Sequence, residues 1–196
     1  MTTRTAQAAA LADRLTRLRA RLEQEGLDAM FATSRPAVIY LTGFPDEGFE
    51  RLIATLVTRE ATYLIIPSLE RETAEEDALG VELAVWADGE DAIALVVSLL
   101  SGVSSGPIRL GAEEHSLSLA QADRLKRDLP GQELAHAGGL IADTRLRKDE
   151  AEVDHMRAAA GLLAAGLEAA YENASAGTSE VELQGLLELE LKRLGG

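Results

Sequence analysis

The stretch from Arg145 to Glu180 constrains the fold more than any other, because it reads as a long helix that divides the chain. It begins with charged residues and continues as a run of alanine, leucine and glycine. The acidic residues that follow Asp149 lie where the dipole of a helix N-terminus favours negative charge. Gly177 interrupts the pattern, and Thr178 or Ser179 then caps a second helix. The sequence therefore predicts a helical hairpin in the last quarter of the chain, with a domain boundary before it.

The part of the chain before this hairpin alternates between helical and extended patterns. Leucines recur at helical spacing over 5–25, which predicts an amphipathic helix. Pro36 and Gly43 bracket an apolar turn that carries Tyr40, and Arg59-Glu60 separates two β-rich runs as in a hairpin. We further expect strands over 27–32, 52–58, 61–66, 81–86, 107–111 and 133–135, and helices over 70–79, 91–100 and 117–129. This alternation predicts an α/β fold, in which the hairpin makes the sheet mixed and helices flank it.

Composition limits the classes of function. The chain has 196 residues, of which 46% are hydrophobic and 27% charged, as in a globular protein. It has no cysteine, which excludes disulfides and thiolate chemistry. A formal net charge of −14 argues against a nucleic-acid partner, which requires clustered lysine and arginine. We see no secretory signal and no apolar run of membrane-spanning length, so we expect a cytoplasmic protein without a membrane partner.

Some local patterns look catalytic but lack the context that their chemistry requires. Residues 102–106 read Gly-x-Ser-x-Gly, yet a predicted helix precedes them and a strand follows, the reverse of a nucleophile elbow. Glu152 and His155 have the Glu-x-x-His spacing of di-iron bundles, but the sequence contains no second copy. His115 and His136 are single histidines without ligand spacing. We therefore expect a solvated helix start at Glu152 and structural or exposed roles for the histidines.

Two stretches together resemble the creatinase/prolidase family. Near the N-terminus, the family's Gly-Leu/Ile-Asp-Ala and Tyr-Leu-Thr-Gly-Phe elements are matched in order by Gly26-Leu27-Asp28-Ala29 and Tyr40-Leu41-Thr42-Gly43-Phe44. At the junction with the hairpin, the matching residues are Arg145, Lys148, Glu152-Val153, Arg157 and Ala158-Ala159-Ala160, followed by Gly177-Thr178-Ser179-Glu180. Ala176 stands where the family has proline. The spacing between the two stretches, about one domain length, makes their combination specific.

The resemblance implies a division of the chain into three parts. Residues 1–137 would be a creatinase/prolidase N-terminal α/β domain, 138–148 a linker, and 149–196 the first two helices of an incomplete pita-bread catalytic domain. Complete family members bind two divalent metals, here expected to be manganese, zinc or cobalt, through ligands that lie downstream of the second helix. We therefore expect a truncated chain that carries no catalytic residue, metal ligand or cofactor and is inactive alone.

The resemblance also implies a role for the complete protein. It would be a cytoplasmic, homodimeric metallopeptidase of the Xaa-Pro dipeptidase (prolidase) or aminopeptidase P type, a hydrolase of proline-containing peptides. In relatives the loop that corresponds to residues 42–50 approaches the neighbouring subunit's active site. This makes Phe44, Asp46, Glu47 and Phe49 candidates to line the substrate entrance.

Two alternatives remain open. In the first alternative, the chain is a stand-alone, non-catalytic dimerisation or binding module. In the second, it is the N-terminal part of a creatinase-like amidinohydrolase, which hydrolyses a C–N bond without metal. In either the leading or the first alternative interpretation, apolar side chains of the hairpin require a covering partner. They are Leu162, Leu163, Leu167, Val181, Leu183, Leu186, Leu187 and Leu191.

Overall fold

The computed structural model describes residues 4–45, 51–103, 106–129 and 133–195. They belong to two compact units, Met1–Arg147 and Lys148–Gly196. The elements of the first unit are α1 (Arg4–Gln24), β1 (Ala29–Ala32), α2 (Arg35–Thr42), β2 (Ala54–Thr58), β3 (Thr62–Pro67), α3 (Arg71–Asp77), β4 (Glu82–Trp86), α4 (Ala92–Ser101), β5 (Arg109–Ala112), α5 (Leu119–Asp128), β6 (Glu133–His136) and α6 (Gly138–Leu146). The second unit contains α7 (Glu150–Glu172) and α8 (Glu180–Arg193).

The first unit is built on a mixed sheet in the order β4-β3-β2-β1-β5-β6. Strand β2 is antiparallel to β1 and β3, whereas the pairs β3-β4, β1-β5 and β5-β6 are parallel. The expected hairpin is present: the side-chain oxygen of Thr58 accepts the Ala61 N–H at 2.9 Å, and the Thr58 N–H donates to the Ala61 carbonyl at 2.9 Å. The predicted α/β fold with a mixed sheet and flanking helices is thereby confirmed.

Helices cover both faces of the sheet because successive strand residues point to opposite sides. One face packs against α4 and α5 through Phe31, Leu56, Ile65, Val96, Leu100 and Leu125, all buried. The opposite face packs against α1, α2 and α6 through Met30, Val57, Leu18, Leu41 and Ile141. Next to this second cluster, Leu64 and Ile66 of β3 pack against Val38, Phe44 and Ala74.

The segment expected to be an apolar turn around Tyr40 is helix α2, so that prediction was wrong. Ser34 caps this helix, its side chain accepting the Ala37 N–H, and Pro36 occupies the first turn, where its missing N–H costs nothing. Gly43 ends the helix with a φ of 74°, and its N–H donates to the Ile39 carbonyl. These are ordinary helix start and stop signals.

The linker expected over 138–148 is also wrong for most of its length. Residues Gly138–Leu146 form α6, in which Leu140 and Ile141 are buried in the core beneath α1. Asp143 of this helix pairs with Arg21 of α1 at 3.3 Å. The first unit therefore extends to Arg147 and does not end at residue 137.

Both helices of the second unit begin with a capping box, in which a cap residue and the residue three positions on bond each other's N–H. The pairs are Asp149 with Glu152 and Ser179 with Glu182. This confirms a helix that begins after Asp149, and it selects Ser179 over Thr178 as the second cap. Glu152 is engaged in its cap and His155 is exposed, as expected for a solvated helix start.

Several apolar side chains of this hairpin are exposed to solvent in the single chain. Val181 is 79% exposed, Leu163 48% and Leu167 36%. The two helices contact one another at Gly166, where an added Cβ would lie 2.8 Å from Leu191 Cδ2. That a partner covers the exposed side chains stays a prediction.

The close contact at Gly166 predicts that the same glycine-to-alanine substitution has different effects at two positions of α7. Gly166→Ala forces the Leu191 side chain to move, and this crowding offsets the helix propensity of alanine, about 1 kcal/mol over glycine. Gly161→Ala meets no atom within 4 Å and gains the full propensity. We expect Gly161→Ala to be more stable than Gly166→Ala by about 1–2 kcal/mol in urea unfolding followed by far-UV circular dichroism. Equal stabilisation by both substitutions would show that the helices do not approach closely at Gly166.

Candidate functional site

The connection between α2 and β2, residues 43–53, contains all four side chains expected at a substrate entrance. Phe44 is 1% exposed and packs in the core with Val38 and Ile66, so its ring holds the start of the connection in place. The other three candidates, Asp46, Glu47 and Phe49, lie outside the described residues. Their role at an entrance stays a prediction.

The connection leaves α2 from a point that hydrogen bonds hold in place. The Phe44 N–H donates to Thr42 Oγ1 at 3.1 Å, and the same hydroxyl donates to the Val38 carbonyl at 2.7 Å. The Thr42 carbonyl in turn accepts the Leu79 N–H at 3.0 Å, which ties the end of α2 to the segment after α3. An added Cβ at Gly43 would lie 3.3 Å from Leu11 Cδ1, so the chain passes close to α1 here.

The returning end of the connection is held as well. Trp86 at the end of β4 donates its indole N–H to the Leu52 carbonyl at 3.2 Å. Arg51 forms an ion pair with Asp88 at 2.7 Å. The described residues on both sides of 46–50 are therefore held by contacts to the rest of the first unit.

A buried carboxylate organises the edge of the sheet where β1 and β5 end. Glu113, 8% exposed, follows β5 directly and accepts the N–H groups of Thr33 at 2.9 Å and Ser34 at 2.8 Å. It also accepts the Ser34 hydroxyl at 2.8 Å, and Ser116 lies 2.7 Å from the Thr33 hydroxyl. Glu113 thus fixes the N-terminus of α2. Sequence reasoning missed this role, although an acidic residue directly after a buried strand was the available signal.

The next residue, Glu114, fixes the beginning of α6. Its carboxylate accepts the Gly138 N–H at 3.0 Å and lies 3.5 Å from His115 Nε2. Hydrogen bonds from its own N–H and from Gly138 lower the pKa of the Glu114 carboxyl from its ordinary value. A lowered pKa stabilises the fold above the unfolded value, about 4.3, and this contribution is lost as the pH falls through the folded value. The cap on α6 therefore persists at neutral pH and weakens only in acid.

Within the described residues, no group of three or more histidine, aspartate or glutamate side chains is arranged to hold a metal ion. The carboxylates of this edge point into backbone N–H groups, so they do not fit a metal, and no metal-dependent step is assigned to them. Among the helices that the structure describes, none is both long and apolar enough to cross a membrane.

Comparison with known proteins places the chain among prolidase-like sequences. The model of the Creatinase/Prolidase N-terminal domain matches residues 14–147, which end where the first unit ends. The putative dipeptidase YkvY of Bacillus subtilis (strain 168) is 30% identical over 184 residues, covering 93% of this chain and 51% of the relative. The Xaa-Pro dipeptidase of Lactobacillus delbrueckii subsp. lactis is 23% identical over 180 residues, covering 91% and 49%.

Solved structures show that the fold is shared. The Xaa-Pro dipeptidase from Bacillus anthracis superposes with a TM-score of 0.81 at 22% identity, covering 94% of this chain and 50% of that structure. The prolidase from Pyrococcus horikoshii OT3 gives a TM-score of 0.78 at 23% identity, covering 93% and 49%. This chain spans about half the length of the curated relatives that it matches. It belongs to the creatinase/prolidase N-terminal domain family.

Proposed function

We propose that this chain supplies the N-terminal domain and the first helices of the catalytic domain to a cytoplasmic Xaa-Pro dipeptidase or aminopeptidase. The observation that carries the proposal is the family match, which ends at Arg147 together with the first unit. The named relatives are dipeptidases, which favours peptide hydrolysis over the amidinohydrolase alternative. The two divalent metals of such an enzyme would be bound by residues outside this chain.

In this proposal the connection 43–53 lines the substrate entrance of a neighbouring subunit in a homodimer. Anchoring at both ends supports the role, since a recognition segment must be held to within a fraction of an ångström to orient a substrate. The carboxylates of Asp46 and Glu47 would hold the free amino group of a short peptide. Phe49 would bound a small side-chain pocket, and Phe44 would act from the core by holding the connection in place.

The proposed function is tested by measuring the intact mass of the protein as its gene produces it, together with Xaa-Pro dipeptide hydrolysis in added manganese. A mass well above 20.9 kDa with turnover supports the proposal. A mass near 20.9 kDa without turnover contradicts it and favours the stand-alone module. Turnover at 20.9 kDa would contradict the placement of the metal centre outside this chain.

The entrance role predicts a specific kinetic change. In the active protein, Asp46→Asn and Glu47→Gln together should raise KM for a free dipeptide by about 10-fold with little change in kcat, because each carboxylate binds the amino group before and during reaction. The same variant should not change KM for the N-acetylated peptide, relative to the unsubstituted protein.

Glu60→Gln provides the matched control, because Glu60 lies in the β2-β3 turn, away from the connection 43–53. It should leave both kinetic constants unchanged. An unchanged KM for the free dipeptide in the double variant would remove Asp46 and Glu47 from the entrance, while leaving the peptidase assignment intact.

A further inference from the structure

Helices α2 and α6 are fixed at their beginnings by two neighbouring residues. Glu113 accepts the Ser34 N–H at the start of α2, and Glu114 accepts the Gly138 N–H at the start of α6. Both carboxylates follow β5 closely, so the starts of the two helices are hydrogen-bonded to one short segment of the chain. Their starting points cannot shift independently without breaking one of these hydrogen bonds.

The same helices are joined again near their ends by Tyr40. Its hydroxyl donates to the carbonyl of Thr144, in the last turn of α6, at 3.0 Å. The tyrosine is 6% exposed, and the Arg14 guanidinium lies 4.5 Å from the centre of its ring. Arg14 Nη1 also donates to the Tyr40 carbonyl at 3.2 Å, so both the side chain and the main chain of Tyr40 are held.

Each helix leads directly to a segment that matters for the proposed function. Two residues after Tyr40, α2 ends at Thr42 and the connection 43–53 begins. Two residues after Thr144, α6 ends at Leu146, and the first unit ends at Arg147. The Tyr40–Thr144 hydrogen bond therefore joins the last turn before the connection to the last turn before the second unit.

We propose that Tyr40 is a positioning residue that couples these two last turns, so that they open together as one local event. Its hydroxyl anchors α6, and its main chain is part of the helical turn whose Ile39 carbonyl accepts the Gly43 N–H. The significance of this coupling for a substrate entrance rests on the proposed function, whereas the coupling itself is a property of the first unit. If the hydroxyl only satisfied a buried carbonyl, its loss would affect α6 alone.

Hydrogen exchange on the full 196-residue chain, without substrate or metal, tests the coupling. Tyr40→Phe removes the hydroxyl and leaves the ring in its packing. We expect exchange at Thr144–Leu146 and at Gly43 and Phe44 to accelerate together, by roughly 3- to 10-fold, the range set by loss of one net hydrogen bond. Amides in the β1-β2 ladder should be unchanged. Tyr63→Phe, the same substitution in β3 on the opposite face of the sheet, is the control and should alter neither segment.

A second variant approaches the coupling from the other side. Thr42→Val removes the hydroxyl that holds the Phe44 N–H, and a coupling between the two last turns, being reciprocal, requires that α6 respond to this change. Acceleration at Thr144–Leu146 in Thr42→Val supports the proposal. Acceleration confined to one segment in both variants overturns it, as does an equal acceleration of the β1-β2 ladder, which would indicate global destabilisation. Neither result depends on peptidase activity, so the coupling and the proposed function can fail separately.

Discussion

Replacing Glu113 by alanine is expected to lower the free energy of unfolding of the first unit by about 3 kcal/mol. The substitution leaves the part-buried N–H groups of Thr33 and Ser34 without their acceptor, and a donor deprived in this way costs about 1–3 kcal/mol when it is fully buried. Water can reach part of this edge of the sheet, so we expect the total loss of stability to be smaller than the sum of the two individual costs. The loss is a large part of the stability of a typical domain, about 5–15 kcal/mol.

Two variants identify the lost acceptor as the cause. Glu113→Gln retains an oxygen for the two N–H groups, and its amide can donate to the Ser34 hydroxyl, so we expect a loss of only about 1 kcal/mol. Glu114→Ala removes a more exposed carboxylate whose hydrogen bond to a distant part of the sequence is the one to the Gly138 N–H. We expect it to lower the free energy of unfolding by about 0.5–1 kcal/mol. Urea unfolding followed by fluorescence of Trp86, the only tryptophan in the sequence, reports on the first unit. Equal losses for Glu113→Gln and Glu113→Ala would mean that the negative charge, and not the acceptor geometry, is what the site requires.

Gly111→Ala is expected to destabilise the first unit by about 2 kcal/mol. Gly111 lies in the middle of β5, and a Cβ there would stand 2.8 Å from the Cβ of Ala137 and 3.0 Å from Leu27 Cδ1. Ala137 has no side-chain torsion that could move its Cβ away from the new methyl group, so the backbone before α6 must shift. Overpacking of this kind costs about 1–3 kcal/mol, which outweighs the backbone entropy gained on replacing glycine.

The clash at Gly111 can be isolated with a second substitution. In the Gly111→Ala/Ala137→Gly variant the shortest contact is absent, so the combined loss should be smaller than the sum of the two single losses by about 1 kcal/mol or more. Unfolding is again followed by Trp86 fluorescence. Simple additivity of the two losses would refute the clash as the origin of the destabilisation.

The sequence was sufficient to predict elements whose signals are local. The Arg59-Glu60 hairpin, the amphipathic α1 and the helix start at Asp149 depend on turn chemistry, apolar spacing and capping within a few residues. Helix α2 carried comparable signals, Ser34 at its cap and Gly43 at its end. It was mistaken for a turn because a short apolar run fits several conformations.

Other features depend on contacts between distant parts of the chain and so could not be predicted from local patterns. Gly138 begins a helix because Glu114, 24 residues earlier in the chain, accepts its N–H, whereas the sequence alone shows two glycines that suggest flexibility. Phe44 was expected to face a substrate, yet its ring is buried because β3 and α3 provide apolar surface there. The role of Glu113 depends likewise on the pairing of β1 with β5.

The reversed direction of β2 has a consequence for how members of this fold can diverge. Because β1 and β2 are antiparallel neighbours, the chain between them returns to the edge that it left and needs no crossover of fixed length. Insertions or deletions between Phe44 and Leu52 can therefore accumulate without altering the strand register, since Thr42 and Trp86 hold the two ends. Selection is free to change the length and chemistry of this connection while the sheet beneath it is preserved.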